Sequence, residues 1–213
     1  IAGLAVEMSA VNKKVSPEKS GLAFGILNAG GSLGQTFLAP LGVILILSIG
    51  WINALYCLSF LLICTLPLAL FLKDNRELAV SGKPNDKLGM GKTMWLAFCT
   101  PSYNYLALGF FTCGFHVAFI GTHMPGIIAA CGLPPTLSGW SLALIGLFNI
   151  FGSLFAGWYI SNRSMKIFLS VVYFSRAIIV IIFLLSPKDT LSILLFSAAV
   201  GATYLSTVPP TAA

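Results

Sequence analysis

The chain has 213 residues, of which 57% are hydrophobic and 8% are charged, and its mean hydropathy is +0.94. Because soluble domains carry about a quarter charged residues, this composition excludes a water-soluble globular protein and indicates an integral membrane protein. The net charge of +6 does not indicate nucleic-acid binding, since the cations fall in short links between apolar runs.

The apolar runs predict an all-α, polytopic membrane helix bundle, because a spanning helix needs about 20 apolar residues and a barrel strand only about half that. We expect a fragment cut at both ends, in which residues 1–10 form the end of a partial span. A short interfacial piece is expected at 94–100, and Pro125-Gly126 is expected to end the third full span. Six full spans are predicted, at residues 20–47, 53–72, 103–124, 139–159, 167–185 and 191–209.

The first full span carries a stripe of small and polar residues. On a helix, steps of three and four residues place them on one face. In lipid, small residues allow close backbone contact between helices, so this stripe predicts tight packing inside a bundle, chiefly through Gly21, Gly25 and Ser32. The stripe consists of Gly21, Gly25, Asn28, Ser32, Gln35 and Ala39.

The lysines and arginines predict the orientation. The links at 11–19, 73–93 and 161–166 hold three, five and two of them, and the links on the opposite side hold only Lys188. Cytoplasmic loops are enriched in Lys and Arg. We therefore expect these three basic links to be cytoplasmic in a cell membrane, with a bacterial inner membrane as the favoured location.

Four polar side chains are predicted at membrane depth: Gln35, His116, Asn149 and Arg176. Arg176 lies ten residues beyond Lys166, about 15 Å deep, near the middle of a hydrocarbon core about 30 Å thick. A central arginine costs about 2.5–3.5 kcal/mol on insertion scales. It is either an anion-binding or proton-coupling charge or a structural arginine bonded to backbone carbonyls.

The other three residues also have two interpretations each. His116 could carry a proton or hold a carboxylate, because histidine titrates near neutral pH, or it could be a neutral histidine bonded to another helix. Gln35 and Asn149 could contact a ligand or form hydrogen bonds between helices. All four are candidates for substrate binding or proton coupling.

No pattern in the sequence indicates catalysis. There is no P-loop, no Ser-His-Asp arrangement and no HExxH motif, and the five cysteines lack paired metal-ligand spacing. We expect no enzyme activity, no cofactor and no metal.

Several runs resemble the major facilitator superfamily, and within it bacterial monocarboxylate-porter-like transporters. They are KSGLAFGILNAGGSLGQTFLAPLG at 19–42, GFFTCGFHVAFIGTHMPGIIAACGLP at 109–134, SLALIGLFNIFGSLFAG at 141–157, YFSRA at 173–177 and YLSTVPPTA at 204–212.

The resemblance implies the end of the fourth helix through the tenth helix of a twelve-helix, two-bundle fold. Residues 1–72 would end the N-terminal bundle, 73–93 would be the cytoplasmic link, and 94–213 would begin the C-terminal bundle. It also implies alternating access around a central site, with Arg176 on a supporting helix. The superfamily's loop acid is replaced here by Ser161 or Asn162.

The sequence and the resemblance together predict a secondary active transporter of a small organic solute, with a monocarboxylate or related anion as the leading candidate, driven by proton symport or exchange. The expected partners are that solute, the lipid bilayer and a coupling proton, but no nucleic acid. The alternatives are a drug or metabolite efflux carrier and a non-transporting membrane sensor or scaffold.

Overall fold

The computed structural model describes residues 17–71, 90–161 and 164–208. Within these ranges the chain is helical and has no strand, which confirms the all-α class; the twelve-helix, two-bundle fold stays a prediction. The helices are α1 (Pro17–Ile49), α2 (Trp51–Phe71), α3 (Met90–Phe98), α4 (Pro101–Ala130), α5 (Thr136–Ile160), α6 (Met165–Leu185) and α7 (Thr190–Thr203).

Four of these helices are long and apolar enough to cross a membrane. They contain Gly21–Ile49, Pro101–Ala130, Thr136–Ile160 and Met165–Leu185, whereas Trp51–Thr65 and Thr190–Thr203 are shorter apolar stretches. The described residues therefore support four of the six predicted full spans by length and composition. The predicted partial span at 1–10 and most of the 73–93 link lie outside the described residues.

The end of α4 differs from the prediction. The helix continues through Pro125 to Ala130, so the expected end at Pro125-Gly126 is wrong. A proline removes one helical hydrogen bond, which a membrane helix tolerates when its neighbours compensate. Instead, Gly132 ends the helix with a φ of +69°. The N–H of Gly132 donates to the carbonyl of Ala129, and the N–H of Leu133 donates to the carbonyl of Ile128. These two bonds form a Schellman motif.

The last helix, α7, also ends earlier than predicted. It stops at Thr203, and residues 204–207 form bends and turns before a helical residue at Val208, instead of one helix continuing to 209. Pro209 and Pro210 follow, and neither has an N–H to donate to the carbonyl four residues earlier. The carbonyls of Leu205 and Ser206 therefore lack α-helical donors four residues further on, which favours a break at this point; the Leu205 carbonyl accepts from the N–H of Val208 at 3.0 Å instead.

The core lies where α5 packs between α1 and α7. α5 makes its most extensive contacts with α1 and then with α7, and nearly half of its apolar window is buried. By contrast, Ala54 is the only buried residue among the α2 side chains that the structure describes. α5 is thus the central helix of the described part, and α2 lies at its edge.

Candidate functional site

α1 and α5 meet along a seam of glycines. A Cβ atom added to Gly25 would lie 2.7 Å from the backbone oxygen of Ser153, and one added to Gly157 would lie 2.6 Å from that of Gly21. Only glycine permits such a close backbone approach. Gly21 and Gly25 therefore lie where the stripe on α1 meets the facing helix directly.

An amide network crosses this seam at its middle. Asn149 is fully buried; its Nδ2 donates to the Ser32 hydroxyl at 2.6 Å, and its Oδ1 accepts from the N–H of Leu205 at 2.8 Å. From α1, Asn28 Nδ2 donates to the carbonyl of Leu205 at 3.3 Å. The amides of Asn28 and Asn149 thus hold both backbone groups of one residue in the break after α7.

Arg176 reaches the same break from α6. Its Nη2 donates to the carbonyls of Thr203 and Tyr204, the second at 2.9 Å, and its Nη1 lies 3.8 Å from the Cys113 sulfur. The residue is 5% exposed, and its guanidinium carbon lies 5.8 Å from the centre of the Tyr173 ring. The backbone bonds match the structural interpretation of this arginine, and the break after α7 supplies the acceptors.

A groove of about 660 Å³ runs between α4 and α6. Its polar lining comes from Tyr105, Thr112, His116, Tyr173 and Arg176, and apolar residues of both helices complete it. The Tyr173 hydroxyl donates to the carbonyl of Gly109 at 2.8 Å and so holds the two helices together. His116 and Arg176 therefore border one cavity.

Within the described part of the chain, one side-chain nitrogen of His116 and one of Arg176 lack hydrogen-bond partners. Among the described residues, the buried His116 Nε2 and Arg176 Nε have no hydrogen-bond acceptor or donor. The sequence has no Asp or Glu between residues 87 and 188, so no carboxylate on α4, α5 or α6 can neutralise the guanidinium. The groove is consequently bordered by one positive charge and by two residues that each keep a buried nitrogen without a hydrogen-bond partner.

The structure does not bring the four predicted site residues into one cavity. His116 and Arg176 line the groove, whereas Asn149 lies buried in the amide network and Gln35 is half-buried on α1. Similar depth along a span had suggested a shared site, but these side chains point from different faces of their helices. The carboxamide of Gln35 makes no hydrogen bond among the described residues.

Sequence reasoning gave no site role to Cys113, Tyr204 and Thr207. The Cys113 sulfur lies 3.1 Å from the Thr207 hydroxyl, and the Tyr204 hydroxyl donates to the carbonyl of Val117 at 3.0 Å. The only available signal was the YLSTVPP run, whose two prolines mark the break. Asn28 did belong to the predicted stripe, but its bond across to α7 was not foreseen.

A family model described as Major Facilitator Superfamily matches residues 2–213. The chain belongs to the major facilitator superfamily. Members of this superfamily are transporters rather than enzymes, and they carry small-molecule solutes within a membrane. The protein is accordingly an integral membrane protein of a secondary-transporter family. No curated protein and no solved structure matches the chain.

Proposed function

We propose that this superfamily member carries a small organic anion, with a monocarboxylate or related acid as the leading candidate, by alternating access with proton symport or exchange. One observation carries the proposal: His116 and Arg176 border the same groove, and each presents a buried nitrogen without a partner. A carboxylate has two oxygens that can accept from such groups.

Charge favours an anion over a neutral solute. The carbonyls of Thr203 and Tyr204 offer dipoles to Arg176 but no full negative charge. Hydrogen bonds between ionised groups are roughly twice as strong as neutral ones. A carboxylate in the groove would therefore stabilise the buried guanidinium more than a hydroxyl of a neutral solute would.

His116 is the candidate for proton coupling. Histidine is the side chain that ordinarily changes charge between pH 5 and 8, and His116 Nε2 faces no protein partner among the described residues. Protonation would place a second positive charge beside the groove and strengthen anion binding. Loss of that proton would weaken it, which links solute release to proton release.

Alternating access supplies the conformational part of the proposal. We assign residues 1–72 and 94–213 to two bundles, joined by a cytoplasmic link at 73–93. The glycine seam between α1 and α5 then joins the bundles. Gln35, with its half-buried amide, is proposed to border the central cavity, and Asn149 is proposed to act through the backbone that it holds.

The test is transport by the full-length protein in proteoliposomes. Uptake of radiolabelled lactate and benzoate is measured with an inward proton gradient, with a protonophore, and with glucose as the neutral control. We expect saturable anion uptake that the protonophore reduces, and at least about a tenfold loss in His116→Ala, the size that general acid–base groups commonly contribute. His123→Ala is the matched control, since His123 is exposed on the same helix.

Three outcomes would count against the proposal. Export of apolar cations or neutral drugs without anion uptake would favour the efflux carrier. Saturable binding without flux would favour the sensor or scaffold. If His116→Ala and Asn149→Ala both keep the uptake kinetics of the unmodified protein, the assignment of these residues is wrong.

A further inference from the structure

The break after α7 connects four other helices through one short segment of backbone. Tyr204 and Leu205 are held by Asn28 from α1, Asn149 from α5 and Arg176 from α6. The Tyr204 hydroxyl in turn donates to α4 at Val117. The segment from Tyr204 to Thr207, which we call the α7 break, is thus the point where the four long helices meet.

The two sides of the α7 break belong to different parts of the molecule. Asn28 and Asn149 approach it from the glycine seam between α1 and α5, where the helices are in backbone contact. Arg176 approaches it from the groove between α4 and α6. A movement of the break therefore cannot leave both the seam and the groove unchanged.

Side chains complete the bonding of the break. In an unbroken helix, the carbonyl of Leu205 would accept from the N–H of residue 209, which is a proline here. That carbonyl accepts instead from the N–H of Val208 at 3.0 Å and from Asn28 Nδ2 at 3.3 Å, and Asn149 Oδ1 accepts from the N–H of Leu205 at 2.8 Å. Buried backbone groups left without partners are costly, so Asn149 holds the Leu205 N–H in place and Asn28 adds a second donor at its carbonyl.

We propose that Asn28 and Asn149 are positioning residues that couple the α1–α5 seam to the Arg176 groove through the α7 break. This inference rests on the transport by alternating access proposed above. When Arg176 turns its donors toward a solute in the groove, the carbonyls of Thr203 and Tyr204 lose a donor. The break then shifts, and the amides pass that shift to the seam. Neither asparagine needs to touch the solute.

Alkylation of Cys113 reports the position of the break. Cys113 is 2% exposed and lies against Thr207, so it should react slowly with N-ethylmaleimide while the break is held. The experiment uses full-length protein in which every other cysteine is replaced by serine. We expect Asn28→Ala and Asn149→Ala to raise the labelling rate of Cys113 about tenfold or more, as loss of a buried hydrogen bond implies.

Transport kinetics test the coupling itself. With lactate and benzoate as probes, both variants should lower turnover about tenfold while the solute Kd changes less than twofold. Asn53→Ala is the matched control, because the exposed Asn53 amide donates to the carbonyl of Ile49, four residues earlier, at 2.9 Å and not to the α7 break.

The outcomes separate this inference from the proposed substrate. If Cys113 labelling responds but no organic anion is carried, the substrate proposal fails and the α7 break remains held as described. If anions are carried while labelling and turnover match the Asn53→Ala control, the coupling role is wrong. If Asn28→Ala and Asn149→Ala weaken solute binding as much as they lower turnover, the asparagines are solute ligands instead.

Discussion

Two glycines on α1 give the sharpest test of the packing. Gly25 faces α5, where an added Cβ would lie 2.7 Å from the backbone oxygen of Ser153; Gly30, five residues further along, has nothing within 4 Å of such a Cβ. Gly25→Ala and Gly30→Ala therefore make the same chemical change in the same helix. Only the first change must push two backbones apart.

The expected changes in the free energy of unfolding follow from two opposing contributions. Replacing glycine by alanine inside a helix gains about 0.8–1.0 kcal/mol from propensity, and both variants share that gain. Overpacking a close contact costs about 1–3 kcal/mol, and only Gly25→Ala pays it. We expect Gly30→Ala to be as stable as the unmodified protein or more stable, and Gly25→Ala to lie about 1–3 kcal/mol below Gly30→Ala.

The assay is reversible unfolding of the full-length protein by SDS in mixed micelles, which gives a free energy of unfolding for each variant. The difference between the two variants is the quantity of interest, because their shared propensity term cancels. Gly157→Ala should behave like Gly25→Ala, since its added Cβ would lie 2.6 Å from the backbone oxygen of Gly21. Equal free energies for Gly25→Ala and Gly30→Ala would show that α1 and α5 are not in backbone contact.

Three further predictions concern charged groups. Arg176→Lys should lower the yield of folded protein in gel filtration, because a compact ammonium cannot reach both the two carbonyls that Nη2 serves and the Cys113 sulfur 3.8 Å from Nη1, as the wider guanidinium does; a yield equal to that of the unmodified protein would contradict this. The side chain and backbone N–H of Ser192 lower the pKa of Asp189, which caps α7. The cap contribution should therefore be present above the ordinary aspartate pKa of about 3.9 and be lost as the pH falls through the lowered value; amide exchange of Ser192 should follow this loss, and Asp189→Asn, which also caps, should not show it. A membrane-impermeant maleimide added outside intact cells should label Lys188→Cys but not Lys92→Cys, and the reverse pattern would invert the predicted orientation.

Helix positions were predictable because hydrophobic runs and turn residues are local signals. The basic, proline-containing link before α1 and the Gly50-Trp51 turn after it place that helix within three residues of its bounds, Pro17–Ile49. The end of α4 differs from the prediction because a membrane helix can continue through a proline, whereas a glycine with positive φ stops it. Gly132, with its positive φ, provides the actual stop, and Pro125 lies inside the helix.

The candidate site was less predictable, because depth is a one-dimensional quantity and a site also requires a common face. His116 and Arg176 share a groove, but Asn149 turns toward α1 and α7, where both ends of its amide are bonded. Each face depends on how helices distant in sequence pack together. No spacing within a single span contains that information.

The buried arginine and the break after α7 are linked physically. A guanidinium in the middle of a span needs acceptors, and the chain offers no carboxylate on the neighbouring helices. An unbroken helix would keep its carbonyls for its own N–H groups, whereas α7 ends at Thr203 and leaves two carbonyls for Arg176. The end of α7 at Thr203 thus leaves acceptors for the charge that Arg176 carries on α6. Since carbonyl dipoles offset the cost of burying the charge without cancelling it, Arg176 can be stable in the apolar bundle and still attract an anion to the groove.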